Sequence, residues 1–137
     1  MGTQAGLVVG ARAFSAPFVV YGVAVEHPIK QLIADGAALA NGTAELLGLD
    51  QCFDATDIAI DGGFIGADYG VPTEEGTEAI RLLARTEAVF LDPVYSGKAM
   101  AGLISHVRSG ELEPNEAVVF LHTGGGPSLF ATGTTLV

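Results

Sequence analysis

The stretch Leu91-Asp92-Pro93-Val94-Tyr95-Ser96-Gly97-Lys98-Ala99-Met100-Ala101-Gly102-Leu103 decides how the rest of this 137-residue chain is read. A short apolar run (residues 88–91) stops at a turn built on Pro93, hydroxyl side chains sit in the turn, and an apolar-periodic segment follows. His122-Thr123-Gly124-Gly125-Gly126-Pro127 repeats that grammar after a second apolar run, residues 117–121. Strand, turn and helix in this order belong to α/β proteins. The turn after a strand's carboxyl end is where such proteins bind ligands, because backbone N–H groups and helix N-termini converge there. Tyr95, Ser96 and Thr123 in two such turns point to a small anionic or heteroaromatic ligand rather than a macromolecule.

Outward from these turns the same alternation continues. Phe18-Val19-Val20-Tyr21-Gly22-Val23-Ala24-Val25 is a nearly unbroken apolar, β-branched run, as a buried parallel strand requires. Residues 57–61 form a shorter strand, followed by a Gly-rich loop that carries Tyr69. Helices are expected over residues 2–14, with Leu7, Val8 and Ala11 at helical spacing, and from Pro28 to Leu47, with Pro28 in the first turn. In the second, Ile29, Leu32, Ile33, Ala37, Leu39, Ala40, Leu46 and Leu47 supply a core face, and Gly36 and Gly42 weaken the middle. A third helix runs to residue 86 from the N-cap Thr73, with Glu74 and Glu75 suiting its dipole. A fourth spans residues 97–109 and stops at Gly110, and Pro127 opens a last helical turn before the polar end Thr132-Gly133-Thr134-Thr135. The pattern specifies an α/β fold, a mostly parallel sheet with flanking helices, in a single domain over residues 1–137. The chain opens directly on a helix. A parallel sheet ordinarily begins with a strand and turn, so a segment ahead of Met1 is expected.

Charge narrows the partners. Sixteen acidic residues against six basic ones give a net charge of −10, which repels phosphate backbones, so no nucleic-acid partner is expected. The apolar run at residues 18–25 is too short to span a bilayer and no basic-then-apolar leader opens the chain, so no membrane partner is expected either. Cys52 is the one cysteine; it excludes an internal disulfide, fits a reducing cytoplasm and is expected to be a buried or incidental thiol rather than a catalytic one. Asn41-Gly42-Thr43 matches a glycosylation sequon without a secretory context, and His27, His106 and His122 show no metal-ligand spacing.

Four groups of residues could carry chemistry. Gly2 and Thr3 open the first helix, where free N–H groups and a hydroxyl can hold a phosphate, although both are also common caps. Tyr69 and Tyr95 each lie in a turn after a strand, where a phenol can move a proton; the plainer alternative is a tyrosine lidding the core. Ser96 and Thr123 either face a ligand or cap their own turns, and His122 at a strand end reads as structural. Lys98 could be a nucleophilic amine, but a first-turn lysine pointing into solvent is the expectation.

Taken together, Gly2-Thr3-Gln4-Ala5-Gly6-Leu7, Tyr69-Gly70-Val71-Pro72-Thr73-Glu74-Glu75-Gly76, the 91–99 stretch and residues 122–127 resemble the pyridoxal-phosphate enzymes of the D-cysteine desulfhydrase and 1-aminocyclopropane-1-carboxylate deaminase family. That family has the tryptophan synthase β-like fold. The resemblance runs over essentially the whole chain and covers the C-terminal part of such an enzyme. It implies pyridoxal phosphate as cofactor, a small amino acid as substrate and a homodimeric parent enzyme. It assigns Gly2 and Thr3 to the tail of the phosphate loop and Tyr69 and Tyr95 to the two active-site tyrosines. Ser96, Thr123 and the adjoining Gly124 fall to the cofactor, the first two beside the pyridine nitrogen. The family's Schiff-base lysine belongs to an earlier segment: Lys30 and Lys98 are the only lysines here and neither matches it. The chain by itself is therefore expected to be inactive. Ser96 and Thr123 stand where the deaminases are associated with Glu and Leu, which favours elimination from D-cysteine, giving pyruvate, ammonia and sulfide, over 1-aminocyclopropane-1-carboxylate deamination. Related β-elimination lyases acting on other β-substituted amino acids stay open, and a reading of another class, a non-catalytic remnant or interaction fragment, stands beside them all.

Overall fold

The computed structural model describes residues 1–26 and 28–131; His27 and the polar end at residues 132–135 lie outside the described residues. Elements follow in the order α1 (Gly2–Ala13), β1 (Tyr21–Val23), α2 (Ile29–Leu46), a 3₁₀ turn (Ala55–Asp57), β2 (Ala59–Asp61), α3 (Glu74–Thr86), α4 (Ser96–Ser109) and α5 (Gly126–Ala131). β1 and β2 pair in parallel, Tyr21 opposite Ala59 and Val23 opposite Asp61. The fold is thus α/β, with helices flanking a parallel pair: α1 packs on α2, α3 on α4, and α4 and α2 also touch β1 and β2.

Helix boundaries follow from the residues at their ends. Thr73 is the N-cap of α3, its hydroxyl accepting the Gly76 N–H, with Glu74 and Glu75 in the first turn. Gly110 ends α4 in the left-handed region, at φ 78°. α2 is unbroken through Gly36 and Gly42. Gly36 is there for proximity: a Cβ would lie 2.8 Å from Met1 Cε and 3.1 Å from Ile58 Cγ2. The buried stripe of α2 is Leu32, Gly36, Ala40 and Ala44, one residue per turn, while Leu39, Leu46 and Leu47 face outward. In α1 the buried residues are Ala5, Val8 and Val9, and Leu7 is exposed.

One core joins α1 and α2 to Phe53 and Ile58, and a second joins α3 and α4 to Leu91. Ala24, Leu32 and Ile65 form a third cluster beside the strands.

The strands are shorter and fewer than the sequence suggests. Residues 18–20 do not join the ladder of β1, and Val19 is 82% exposed. Residue 57 is helical rather than extended, because Asp54 and Asp57 form a reciprocal capping box that winds residues 55–57 into the 3₁₀ turn. Residues 88–91 are not a strand: Ala88 is left-handed (φ 55°), the Val89 N–H returns to Leu83 O, and the Phe90 carbonyl faces the imidazole of His122 at 2.9 Å. Residues 117–121 likewise pair with no strand among the described residues, and Val118, Val119 and Leu121 are exposed.

Candidate active site

The 92–96 turn is organised by a carboxylate that sequence reasoning passed over. Asp92 is fully buried; Oδ2 accepts the N–H groups of Val94 and Tyr95, both at 2.8 Å. Oδ1 accepts the Ser96 N–H at 2.8 Å and the Ser96 hydroxyl at 2.6 Å. In return the Asp92 N–H donates to Ser96 Oγ at 2.8 Å. Burial pushes the Asp92 carboxyl up, but the hydrogen bonds from Ser96, Tyr95 and Val94 outweigh it and hold the group below the usual carboxylate value. The visible signal was an Asp three residues before a helix N-cap, the position from which a carboxylate can reach N–H groups left open at the helix start.

This locked turn presents Tyr95, the N-cap of α4, toward Tyr69, which lies on the loop between β2 and α3. The two hydroxyls are hydrogen-bonded across 26 residues of sequence. Their rings meet edge to face, with centroids 6.1 Å apart at 65°. Tyr69 and Tyr95 are 49% and 45% exposed. The bond to Tyr69, followed by desolvation and the nearby Tyr69, Asp92 and Glu26 charges, holds the Tyr95 phenol above its usual value.

The Gly-rich turn reaches the same place. Gly125 has φ 96° and packs directly on the Asp92 carboxylate, where a side chain would collide. Thr123 and Gly124 are exposed, with Gly124 at φ 126° and its N–H directed to His122 Nδ1 at 3.3 Å. The Ser96 hydroxyl proton, by contrast, is already donated to Asp92, and Ser96 is 5% exposed. Gly2 and Thr3 are exposed at the start of α1; the first backbone bond runs from Ala5 N to Met1 O, so the N–H groups of Gly2, Thr3 and Gln4 lack intrahelical partners. Met1 supplies no side-chain cap.

Other side chains depart from expectation. Lys98 does not point into solvent: it is fully buried, and Nζ donates to the Ile65 carbonyl at 2.6 Å. It lies in the face of α4 that turns inward with Ser96, Gly97, Met100, Ala101 and Gly102. Cys52 is exposed rather than buried, because it follows α2 on an outward segment whose carbonyl accepts from Arg12 at 2.8 Å. His106 is bonded on both nitrogens, to Glu111 at 2.6 Å and Asp61 at 3.0 Å, and meets Tyr21 edge on, tying the end of α4 to the sheet.

Residues 1–124 match the family described as pyridoxal-phosphate dependent enzyme. The chain belongs to that family. It is 42% identical over 129 residues to 1-aminocyclopropane-1-carboxylate deaminase of Burkholderia ambifaria (strain MC40-6), covering 94% of this chain and 38% of the relative. The enzyme of the same name from Variovorax paradoxus (strain S110) matches at 42% identity with the same coverage. A crystal structure of an ACC deaminase homologue superposes with a TM-score of 0.82 at 32% identity, over 98% of this chain and 39% of that one. The chain therefore spans a little over a third of the length of these relatives.

Proposed function

We propose that this chain forms the tyrosine-bearing part of a pyridoxal-phosphate-dependent lyase that deaminates a small amino acid, with 1-aminocyclopropane-1-carboxylate as the leading substrate. The observation that carries the reading is the Tyr69–Tyr95 hydroxyl pair, held at a turn that Asp92 locks from below. The relatives' names support the deaminase over the D-cysteine desulfhydrase that the sequence favours. D-cysteine elimination stays as the second reading, supported by Ser96 and Thr123 in place of Glu and Leu.

The residues present fit the cofactor. Open N–H groups at Gly2, Thr3 and Gln4 suit a phosphate, and the exposed Thr123 hydroxyl and Gly124 suit the ring's polar edge. Ser96 offers a ring nitrogen only a lone pair, its proton being committed to Asp92. When bound, pyridoxal phosphate supplies an electron sink for bond breaking at the amino acid's α-carbon. The tyrosines supply a proton. Tyr95, held above the usual phenol value, keeps its proton at neutral pH, and with one hydroxyl of the pair donating to the other, the second hydroxyl can donate to substrate.

Neither Lys30 nor Lys98 stands at the family's Schiff-base position, so turnover on this reading needs a lysine from outside these 137 residues, within a cytoplasmic homodimer. The test is ammonia release, with pyridoxal phosphate present, from 1-aminocyclopropane-1-carboxylate and from D-cysteine. It is run on the chain alone and on the chain completed with the N-terminal part of a relative. Ammonia from the cyclic substrate in the completed protein supports the reading, and sulfide from D-cysteine selects the alternative. No product from either, in a completed protein that binds the cofactor, leaves the non-catalytic fragment.

A further inference from the structure

Lys98 is the residue whose placement the reaction just proposed does not use. A fully buried amine is a costly choice at a packed position, since an apolar side chain of similar volume fills the space without desolvating a charge. Burial drags the Lys98 ammonium below its usual value, against the pull of the Asp68 carboxylate. What the ammonium does there is specific. Nζ crosses 33 residues of sequence to the carbonyl of Ile65, itself 1% exposed and part of the cluster beside the strands. Ile65 lies four residues before Tyr69 on the same loop, and Lys98 lies three residues after Tyr95 at the start of α4. Beside the packing of Phe64 on α4, the two tyrosine-bearing segments are thus hydrogen-bonded to each other below, by Lys98 to Ile65, and above, by the tyrosine hydroxyls.

We propose that Lys98 is a positioning residue: it clamps the Tyr69 loop to the first turn of α4 and so sets the Tyr69 phenol against that of Tyr95. The proposal rests on the reading of the tyrosine pair as functional, but its test needs no turnover. An exposed pair, roughly half open to water on each side, has little packing to fix it, so its geometry must be inherited from the backbones that carry it. Asp92 fixes the Tyr95 side, and Lys98 fixes the Tyr69 side.

The experiment is NMR on the full 137-residue chain, wild type, Lys98→Met and Lys98→Arg, following ring-to-ring contacts. Tyr21 against His106, centroids 5.3 Å apart, reports whether the fold is intact, and Tyr69 against Tyr95 at 6.1 Å reports the pair. Lys98→Met keeps the bulk and removes the donor. The expected result is loss of the Tyr69–Tyr95 contact with the Tyr21–His106 contact kept, and its return in Lys98→Arg, which restores a donor toward Ile65. A Tyr69–Tyr95 contact unchanged in Lys98→Met overturns the proposal. Loss of both contacts in both variants overturns it as well, by assigning Lys98 to the fold as a whole. Failure of the lyase reading would show in the ammonia assay and leave these contacts untouched.

Discussion

Asp92 and Ser96 hold each other from both directions: the carboxylate accepts the serine's N–H and hydroxyl, and the serine oxygen accepts the aspartate's own N–H. Both residues are buried, so no water stands ready to replace a lost partner. Ser96→Ala leaves the Asp92 N–H unpaired and takes one of four donors from its carboxylate. The expected loss is about 1–3 kcal/mol, the cost of orphaning a buried polar group. Urea denaturation of the two proteins, compared at equal slope, checks it; an unchanged midpoint would show that the turn is held by its backbone bonds alone.

The same carboxylate predicts an acid limit. Its folded-state value is depressed, so the stability it contributes is fully present above the unfolded value, about 3.9 for an aspartate, and is lost as pH falls through the lower folded value. Asp92→Asn removes that term. The gap in melting temperature between wild type and Asp92→Asn is expected to be constant from pH 5 to 8, on the order of the range where carboxylates are ionised, and to narrow below about pH 4. A gap independent of pH down to unfolding would mean that Asp92 stabilises by shape and not by charge.

Removing either tyrosine hydroxyl separates chemistry from packing. Tyr69→Phe and Tyr95→Phe keep both rings, which are about half exposed and contribute little to the core. Where the chain is completed to an active enzyme, each variant is expected to lose about 10²-fold in turnover, the range of a positioned acid–base group. Melting should move by no more than about 1 kcal/mol, the worth of one hydrogen bond. In the Tyr69→Phe variant the Tyr95 phenol should also titrate lower, since its bond to Tyr69 is the leading cause of its elevation. Full turnover in both variants would remove them from the reaction.

Helices were legible because their ends are written locally: Thr73 caps α3 and Gly110 closes α4 as a reading of neighbours alone predicts. Strands were not, because a strand is a statement about its partner. Residues 117–121 have the composition of a strand but pair with none among the described residues, and residues 88–91 are diverted by Ala88 and by His122. Within the candidate site, the tyrosines stand out in the sequence by their turns, yet their contact across 26 residues does not. Lys98 was misread for a related reason. Charge and a first-turn position argue for solvent, and only the approach of the 62–70 loop, set by the tertiary fold, buries the amine on Ile65.

Gly125 tests how tightly the last turn is fitted to Asp92. Its φ of 96° is costly for any residue with a Cβ, and that Cβ would strike the Asp92 carboxylate. Gly125→Ala is expected to destabilise by about 1–3 kcal/mol, the usual cost of a residue forced into such backbone. Gly124→Ala shares the positive φ but meets open space, so it isolates the backbone term. Equal losses in thermal melts of the two would show that contact with Asp92 adds nothing.

Borohydride trapping asks whether Lys98 is reachable. Two effects oppose each other. Its depressed value leaves more free amine at neutral pH, which favours addition to an aldehyde, while complete burial and the bond to Ile65 deny the aldehyde access. Access decides, because the amine must leave the Ile65 carbonyl and α4 must open its first turn before any carbon can approach Nζ. Incubating the 137-residue chain with pyridoxal phosphate, reducing with borohydride and mapping peptides by mass should therefore give no adduct at Lys98. Exposed Lys30 should be labelled in proportion to reagent rather than stoichiometrically. The unreduced mixture should still show phosphate held at the start of α1, read as a ³¹P shift that Thr3→Glu abolishes by placing a carboxylate where the phosphate would sit. A stoichiometric adduct at Lys98 would show that the first turn of α4 opens in solution, and would recast that lysine from clamp to nucleophile.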